Sequence, residues 1–123
     1  MRIDVSGGAL SVSEALRGRV VRRVLLSLSR FGPRIRRVTV SLAEPENPLG
    51  GIDRRCRMRA WITGNGELQA EAINGGFDDA VARAATQLSQ RVRTALEPGG
   101  SAEAGAGGDA KGPGKRNQRR RAG

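Results

Sequence analysis

Hydrophobic residues in the first 96 positions follow two different periods, one typical of strands and one typical of helices. Near the N-terminus, Ile3 and Val5 alternate with polar residues, which predicts a short strand. An apolar residue then recurs at every fourth position, which predicts an amphipathic helix over about residues 12–30. This repeat consists of Leu16, Val20, Val24 and Leu28. Ser11 and Ser13 both offer an N-cap, and Ser11 with Glu14 has the spacing of a capping box, so we expect the helix to begin at about residue 12.

Three more strands and a second helix are predicted after Gly32-Pro33, which ends the first helix. Each strand has small or apolar side chains at alternate positions, and Gly64-Asn65-Gly66 predicts a tight turn between the last two. The inward positions are Val38, Val40, Leu42, Cys56, Met58, Ala60, Ile62, Leu68, Ala70 and Ala72. From Phe77 to Leu96 an apolar stripe returns to helical spacing.

The predicted order of elements is therefore β-α-β-β-β-α. Each strand has one apolar face and each helix has one apolar stripe. The simplest packing is a two-layer α+β sandwich, in which a four-stranded sheet carries both helices on one face and exposes the other.

The chain divides into a domain over residues 1–96 and a tail over residues 97–123, with the boundary at Pro98-Gly99-Gly100. The tail consists mostly of Gly, Ala and basic residues and lacks large apolar side chains. Such a segment buries too little surface to offset its ordering entropy, so we expect it to be disordered.

Composition excludes several chemistries. The sequence has no His and a single Cys, which leaves no residues for a Ser-His-Asp triad, a thiolate zinc site or an internal disulfide. We therefore expect no enzymatic activity, no catalytic residue, no metal and no cofactor, and we interpret Cys56 as a buried structural thiol. No secretion signal and no apolar run long enough to span a membrane is present, which predicts a cytoplasmic location.

Charge narrows the class of partner. The chain has 22 Lys+Arg against 12 Asp+Glu, a formal net charge of +10, and both the domain and the tail are basic. This balance favours a polyanion, either nucleic acid or an anionic membrane surface. The preference for Arg over Lys suits RNA, but the codon usage of a GC-rich genome is the better explanation, so the partner is inferred from the net charge and not from this ratio.

Arginines beside the apolar stripe of the first helix are the first candidate site. The functional interpretation is a ridge that contacts phosphates, and the alternative is an ordinary solvated helix face. Only Glu14 offers a counter-charge on that face. The candidate residues are Arg19, Arg22, Arg23 and Arg30.

The third strand is the second candidate, since its outward row is Arg55, Arg57, Arg59 and Trp61. A basic strand with one aromatic residue is typical of a surface on which a nucleic-acid base stacks. The alternative is ion pairing across the sheet, because the outward row of the fourth strand contains Glu67 and Glu71. Further basic residues extend either patch or lie in the tail: Arg34, Arg36, Arg37, Lys115, Arg116, Arg119, Arg120 and Arg121.

Several short motifs in residues 1–96 carry a family resemblance. They are Ile3-x-Val5-x-Gly7, Ser13-Glu14-Ala15-Leu16-Arg17, Arg30-Phe31, Val38-Thr39-Val40, Gly66-Glu67-Leu68 and Phe77-x-x-Ala80-Val81. Their order and spacing resemble the ribosome hibernation-promoting factor and ribosome-associated inhibitor family, also called sigma-54 modulation proteins. Members bind the small ribosomal subunit and occupy the channel for mRNA and tRNA, which stops translation.

The resemblance implies a short-form hibernation factor, active under stress, that binds ribosomal RNA, has no small-molecule substrate and is monomeric off the ribosome. Arg17 and Arg23 match basic positions of the family on the first helix. On the second helix, the family's basic positions are occupied here by Gln87, Gln90 and Thr94, and Asp78 stands where an aromatic residue often occurs. The chain's own arginines on that helix, offset from those positions, are Arg83, Arg91 and Arg93. We include Arg83 and Arg91, with Arg17 of the first helix, among the candidate RNA-binding residues.

Two other functions remain open from the sequence. One is a general RNA-binding module without a preference for ribosomes. The other is a modulator of a transcription factor, acting through contact between proteins. Competition by tRNA or mRNA distinguishes the first from a hibernation factor, and co-sedimentation with ribosomes distinguishes the second.

Overall fold

A computed structural model of the chain describes residues 1–64 and 66–97. The order of strands and helices is the predicted one. The elements are β1 (Arg2–Ser6), α1 (Glu14–Leu28), β2 (Ile35–Ala43), β3 (Arg54–Ile62), β4 (Gly66–Asn74) and α2 (Phe77–Leu96). The predicted tail from residue 98 onward, with its basic cluster, lies outside the described residues.

The strands form one mixed sheet in the order β1-β2-β3-β4. β1 and β2 run parallel, joined by α1 as a crossover, and the other neighbours are antiparallel. The register places Val40 beside Val5 and Met58, and Met58 beside Ala70. The small apolar side chains of all four strands therefore share one face.

Both helices cover that apolar face, as predicted, and one hydrophobic core lies between the two layers. Val24 and Leu28 of α1, Met58 of β3 and Leu88 of α2 are each fully buried. Burying a side chain of this size contributes about 1.5–3 kcal/mol. The core holds α1 and α2 in fixed positions on the sheet, and it thereby fixes the surface that the helices present.

The prediction of a capping box at Ser11 is wrong. Helix α1 begins at Glu14, and its N-cap is Ser13, whose hydroxyl accepts a hydrogen bond from the backbone N–H of Leu16 at 3.1 Å. The preceding residues Leu10 and Val12 pack against the core instead of entering the helix. The helix therefore starts two residues later than expected.

Helix α1 also ends earlier than residue 30. Residues Ser29–Arg34 form a 3₁₀ segment that bends at Gly32, where φ is 56°. A φ in this range favours glycine, and the following Pro33 cannot continue the helix. Arg30 therefore does not continue the α1 ridge but projects from the turn that follows it.

Candidate nucleic-acid interface

The outer surface of α1 carries exposed arginines. Arg22 and Arg23 are both exposed, and neither makes an ion pair or a side-chain hydrogen bond to any residue in 1–64 or 66–97. Arginines left in this state keep their full hydrogen-bonding capacity for a partner. A guanidinium binds phosphate with two parallel N–H donors, so this part of the helix suits a phosphate backbone.

Arg19 differs from its neighbours, and it corrects the prediction that Glu14 is the sole counter-charge. Its Nε donates to Oδ1 of Asp78 at 3.0 Å, which links α1 to the first turn of α2. Both side chains are more than half exposed, so the pair contributes little to stability, about 0–1 kcal/mol. Asp78 thus neutralises one member of the ridge.

Arg17 and Arg91 each bind the backbone of a neighbouring strand. Arg17 is half-buried, and its Nη1 donates to the carbonyl of Val5 at 2.6 Å. Nη1 of Arg91 donates to the carbonyl of Gln69 on the edge strand β4, and burial lowers the pKa of Arg91. Each arginine therefore links a helix to the sheet through a hydrogen bond. The spacing of residues in the sequence did not indicate these contacts.

A groove between α1 and α2 brings together residues that are distant in the sequence. In this interhelical groove, Nη2 of Arg30 donates to Oγ of the buried Ser89 at 2.6 Å, and its guanidinium lies 5.0 Å from the ring centroid of Phe31. The groove is lined by Ser27, Arg30, Thr86, Ser89, Gln90 and Arg93. Two guanidinium groups beside hydroxyl and amide groups form a suitable environment for an anion.

The contribution of α2 to this groove was missed in part by the sequence reasoning. Thr86, Gln90 and Arg93 recur at intervals of four and three, so they share one side of a helix. That spacing was a usable signal, but it does not reveal which neighbour the side faces. Arg83 is exposed and makes no ion pair within the described part of the chain.

The outer face of the sheet, which we call the sheet face, has a different character. Nε of Arg55 and Nη2 of Arg57 both lie 3.4 Å from Oε2 of Glu71, and Nε of Arg59 lies 3.4 Å from Oε2 of Glu67. The register directly opposes Arg57 to Glu71 and Trp61 to Glu67. Cross-strand pairing, the alternative to a binding surface, is the arrangement in the structure.

The rest of the sheet face continues this pairing. Asp4 accepts contacts at 3.2 Å from both Arg2 and Arg37, and the Arg37 guanidinium lies 5.4 Å from the ring centroid of Trp61. Trp61 itself is half-buried. Arg34 and Arg36, at the start of β2, make no ion pair within residues 1–64 and 66–97.

Comparisons of the sequence with protein-family models and with curated proteins give no match. Among solved structures, the N-terminal domain of Thermus thermophilus protein Y is similar, with a TM-score of 0.62, 23% identity, and coverage of 76% of this chain and 97% of that one. A ribosomal subunit interface protein from Coxiella burnetii has a TM-score of 0.60 and 18% identity, over 76% of this chain and 94% of that one.

This chain has the protein Y fold. The similarity covers nearly all of each neighbour, so the fold expected from the sequence is confirmed. No helix in the described residues is long and apolar enough to cross a membrane. Nor do residues 1–64 and 66–97 hold a group of three or more Cys, Asp or Glu side chains placed to bind a metal ion.

Within the protein Y fold, Cys56 occupies an inward position on β3 and is fully buried, as predicted. Burial, with a smaller effect from the carboxylate of Glu71, raises the pKa of the Cys56 thiol to about 12. The thiol is therefore neutral at physiological pH and is unsuited to nucleophilic chemistry, which needs a thiolate.

Proposed function

We propose that this chain binds the small ribosomal subunit through the outer surface of α1 and α2, which we call the helical face. The bound domain lies in the channel that mRNA and tRNA use, and it blocks translation reversibly in the cytoplasm. Arginines bind the ribosomal RNA through its phosphates, and the folded body excludes the other ligands. The proposal is of a binding protein and not of an enzyme.

One observation carries the proposal: within the described residues, six of the seven helical arginines have no carboxylate partner, whereas six of the seven strand arginines are paired. Arg22, Arg23, Arg83 and Arg93 are exposed and form no ion pair within the described residues. Phosphate contacts dominate the affinity of proteins for nucleic acids, and they need cations that are not already neutralised. The helical face meets that requirement.

The fold and the family resemblance support the ribosome as the source of that RNA. Both structural neighbours share the fold over nearly their full length, and one carries the name ribosomal subunit interface protein. A-form RNA hides its base sequence in a deep major groove, so shape and phosphate spacing provide the specificity. A rigid pair of helices on a sheet suits recognition of this kind.

Co-sedimentation of the full chain with purified small subunits tests the proposal. We expect saturable one-to-one binding that added mRNA and initiator tRNA weaken. Non-saturating binding to any RNA would support a general RNA-binding module instead. No sedimentation with subunits would overturn the proposal, and would favour the modulator of a transcription factor.

Matched double variants show which face binds. Arg22→Gln with Arg23→Gln removes two charges from α1, and Arg57→Gln with Arg59→Gln removes two from the sheet face. The helical pair should weaken binding and the sheet pair should leave it nearly unchanged. Equal losses would mean that net charge, not the helical face, determines the affinity.

A further inference from the structure

The loop between β2 and β3, residues 44–53, exposes two large apolar side chains. Leu49 is 96% exposed and Ile52 is 56% exposed, and Leu49 is the most exposed large apolar residue in the described part of the chain. Neither side chain belongs to the hydrophobic core or packs against it. Apolar residues held in water in this way are typical of the anchor that inserts into a pocket of a partner.

The backbone beneath Leu49 is held in place. Asn47 N–H donates to the carbonyl of Gly51 at 3.1 Å, and Gly50 N–H donates to the carbonyl of Asn47 at 2.8 Å. At the base of the loop, Asp53 N–H donates to the carbonyl of Pro45 at 3.0 Å. An anchor on an ordered loop loses little conformational entropy when it binds.

The charge of this loop is opposite to that of the rest of the molecule. Residues 44–53 contain Glu44, Glu46 and Asp53 and no basic residue, although the chain as a whole has a net charge of +10. Glu44 pairs with Arg54 at 3.0 Å. Glu46 is exposed and makes no ion pair within residues 1–64 and 66–97.

The topology places more carboxylates at the same end of the domain. β1 and β2 are parallel, and Ser6 at the end of β1 pairs with Ser41 near the end of β2. The loop that follows β2 therefore lies at the end of the sheet where β1 ends and the chain continues toward α1. Since β3 and β4 are antiparallel and Arg54 pairs with Asn74, α2 also begins at this end. The first turns of the helices contribute Glu14 and Asp79, whereas Asp78 is paired with Arg19.

We propose that Leu49 and Ile52 dock into an apolar pocket on a protein, with a rim of Lys and Arg that complements the loop carboxylates. The inference rests on the proposed function, so the pocket belongs to a protein of the small subunit adjacent to the RNA that the helical face contacts. RNA is the wrong occupant for this surface, because carboxylates repel phosphates. The chain then binds its target through two surfaces of opposite charge.

Photo-crosslinking identifies the occupant. The full chain with a benzophenone amino acid in place of Leu49 is mixed with purified small subunits and irradiated. We expect a saturable adduct that survives ribonuclease and is destroyed by protease. An adduct only with RNA would overturn the inference. Adducts between copies of this chain, formed equally well without subunits, would also overturn it.

Affinity measurements on the full chain give a second test. Leu49→Ser removes an apolar side chain that becomes buried in the complex, so it should weaken subunit binding about tenfold. Ile73→Ser, at a half-exposed position on β4, should not weaken it. Glu46→Lys separates the two classes of partner, because it should weaken docking to a basic protein rim and strengthen contact with RNA. Thermal unfolding should confirm that all three variants fold.

The outcomes separate this inference from the proposed function. Normal subunit binding by Leu49→Ser, or tighter binding by Glu46→Lys, would overturn the docking inference and leave the proposed function standing. No subunit binding by the unmodified chain would overturn both.

Discussion

The two helices and the four strands have the same charge composition, but they differ in how many of their arginines are neutralised by ion pairs. The helices α1 and α2 contain seven arginines and three acidic residues, and so do the strands β1 to β4. Within the described residues, six of the seven strand arginines form ion pairs, whereas Arg19 is the one helical arginine that does. Net charge therefore does not show which surface binds a polyanion.

The difference comes from how the two kinds of element bring side chains together. On adjacent strands, residues of one face lie opposite each other, and the register aligns the acidic row of β4 with the basic row of β3. On a helix, pairing within the element needs an opposite charge three or four positions away. Arg22 and Arg23 have none at those distances.

Removing two arginine charges from each face in turn should give the largest difference in subunit binding between the helical face and the sheet face. At low salt, we expect Arg22→Gln with Arg23→Gln to weaken subunit binding about a hundredfold, since two charged hydrogen bonds at about 1.5 kcal/mol each are lost. The slope of log affinity against log salt should fall by about 2. Salt titrations of co-sedimentation measure both quantities.

The control is Arg57→Gln with Arg59→Gln, which removes the same formal charge. Its binding should change only a few-fold and its salt slope should stay close to that of the unmodified chain. A drop of about 2 in the slope for this variant would mean that the sheet-face pairs open and bind RNA.

An effect of intermediate size is expected from Cys56, which lies on the inner side of β3 in the core between the sheet and the helices. It concerns the dependence of stability on pH. Burial raises the pKa of Cys56 to about 12, so the folded state disfavours the thiolate. The resulting stability is fully present below the unfolded-state pKa near 9 and is lost as pH rises toward 12, by about 1.4 kcal/mol per pH unit. Urea unfolding at about pH 8 and about pH 10.5 measures this loss.

The matched control is Cys56→Ala, which should lose this dependence on pH. The sequence has no His and no Tyr, so few other groups of the chain titrate in this window. If the free energy of unfolding depends on pH in the same way for the two proteins, ionisation of the Cys56 thiol is not coupled to unfolding.

Neutralising the acidic row of β4 should have the smallest effect and should make the two faces more alike. Glu67→Gln with Glu71→Gln leaves Arg55, Arg57 and Arg59 without carboxylate partners. Affinity for an unstructured RNA should rise a few-fold, and stability should fall by no more than about 1 kcal/mol for each exposed pair lost. Fluorescence anisotropy with a labelled single strand measures the gain, and unchanged anisotropy would show that pairing does not limit binding by the sheet face.

Much of this architecture could be predicted from local patterns. Alternation along β3 placed Cys56 inward and Arg57 outward, and the four-residue repeat of α1 identified Val24 and Leu28 as core. The start of α1 was predicted wrongly because Ser11 and Ser13 are both acceptable caps by residue type. The packing of Val12 against the core decided between them.

The candidate site was less predictable. The sequence placed Arg19 on the ridge, but Asp78, which pairs with it, is 59 positions away. Arg30 and Ser89 are also 59 positions apart in the sequence, and they are in contact in the interhelical groove. Arg17 and Arg91 bind backbone carbonyls, and a sequence pattern contains no sign of such contacts.

The sequence by itself determined the elements, the buried face of each one and the excess of positive charge, because these depend on residue type and on spacing within a few positions. Tertiary structure decided which arginines are neutralised, since every ion pair in the described residues except Arg2 with Asp4 joins residues from different parts of the fold. The register between β3 and β4 pairs the sheet arginines, and the placement of α1 beside α2 satisfies Arg19 but not Arg22 or Arg23. Packing distributes the same composition into one neutralised face and one face open to phosphate.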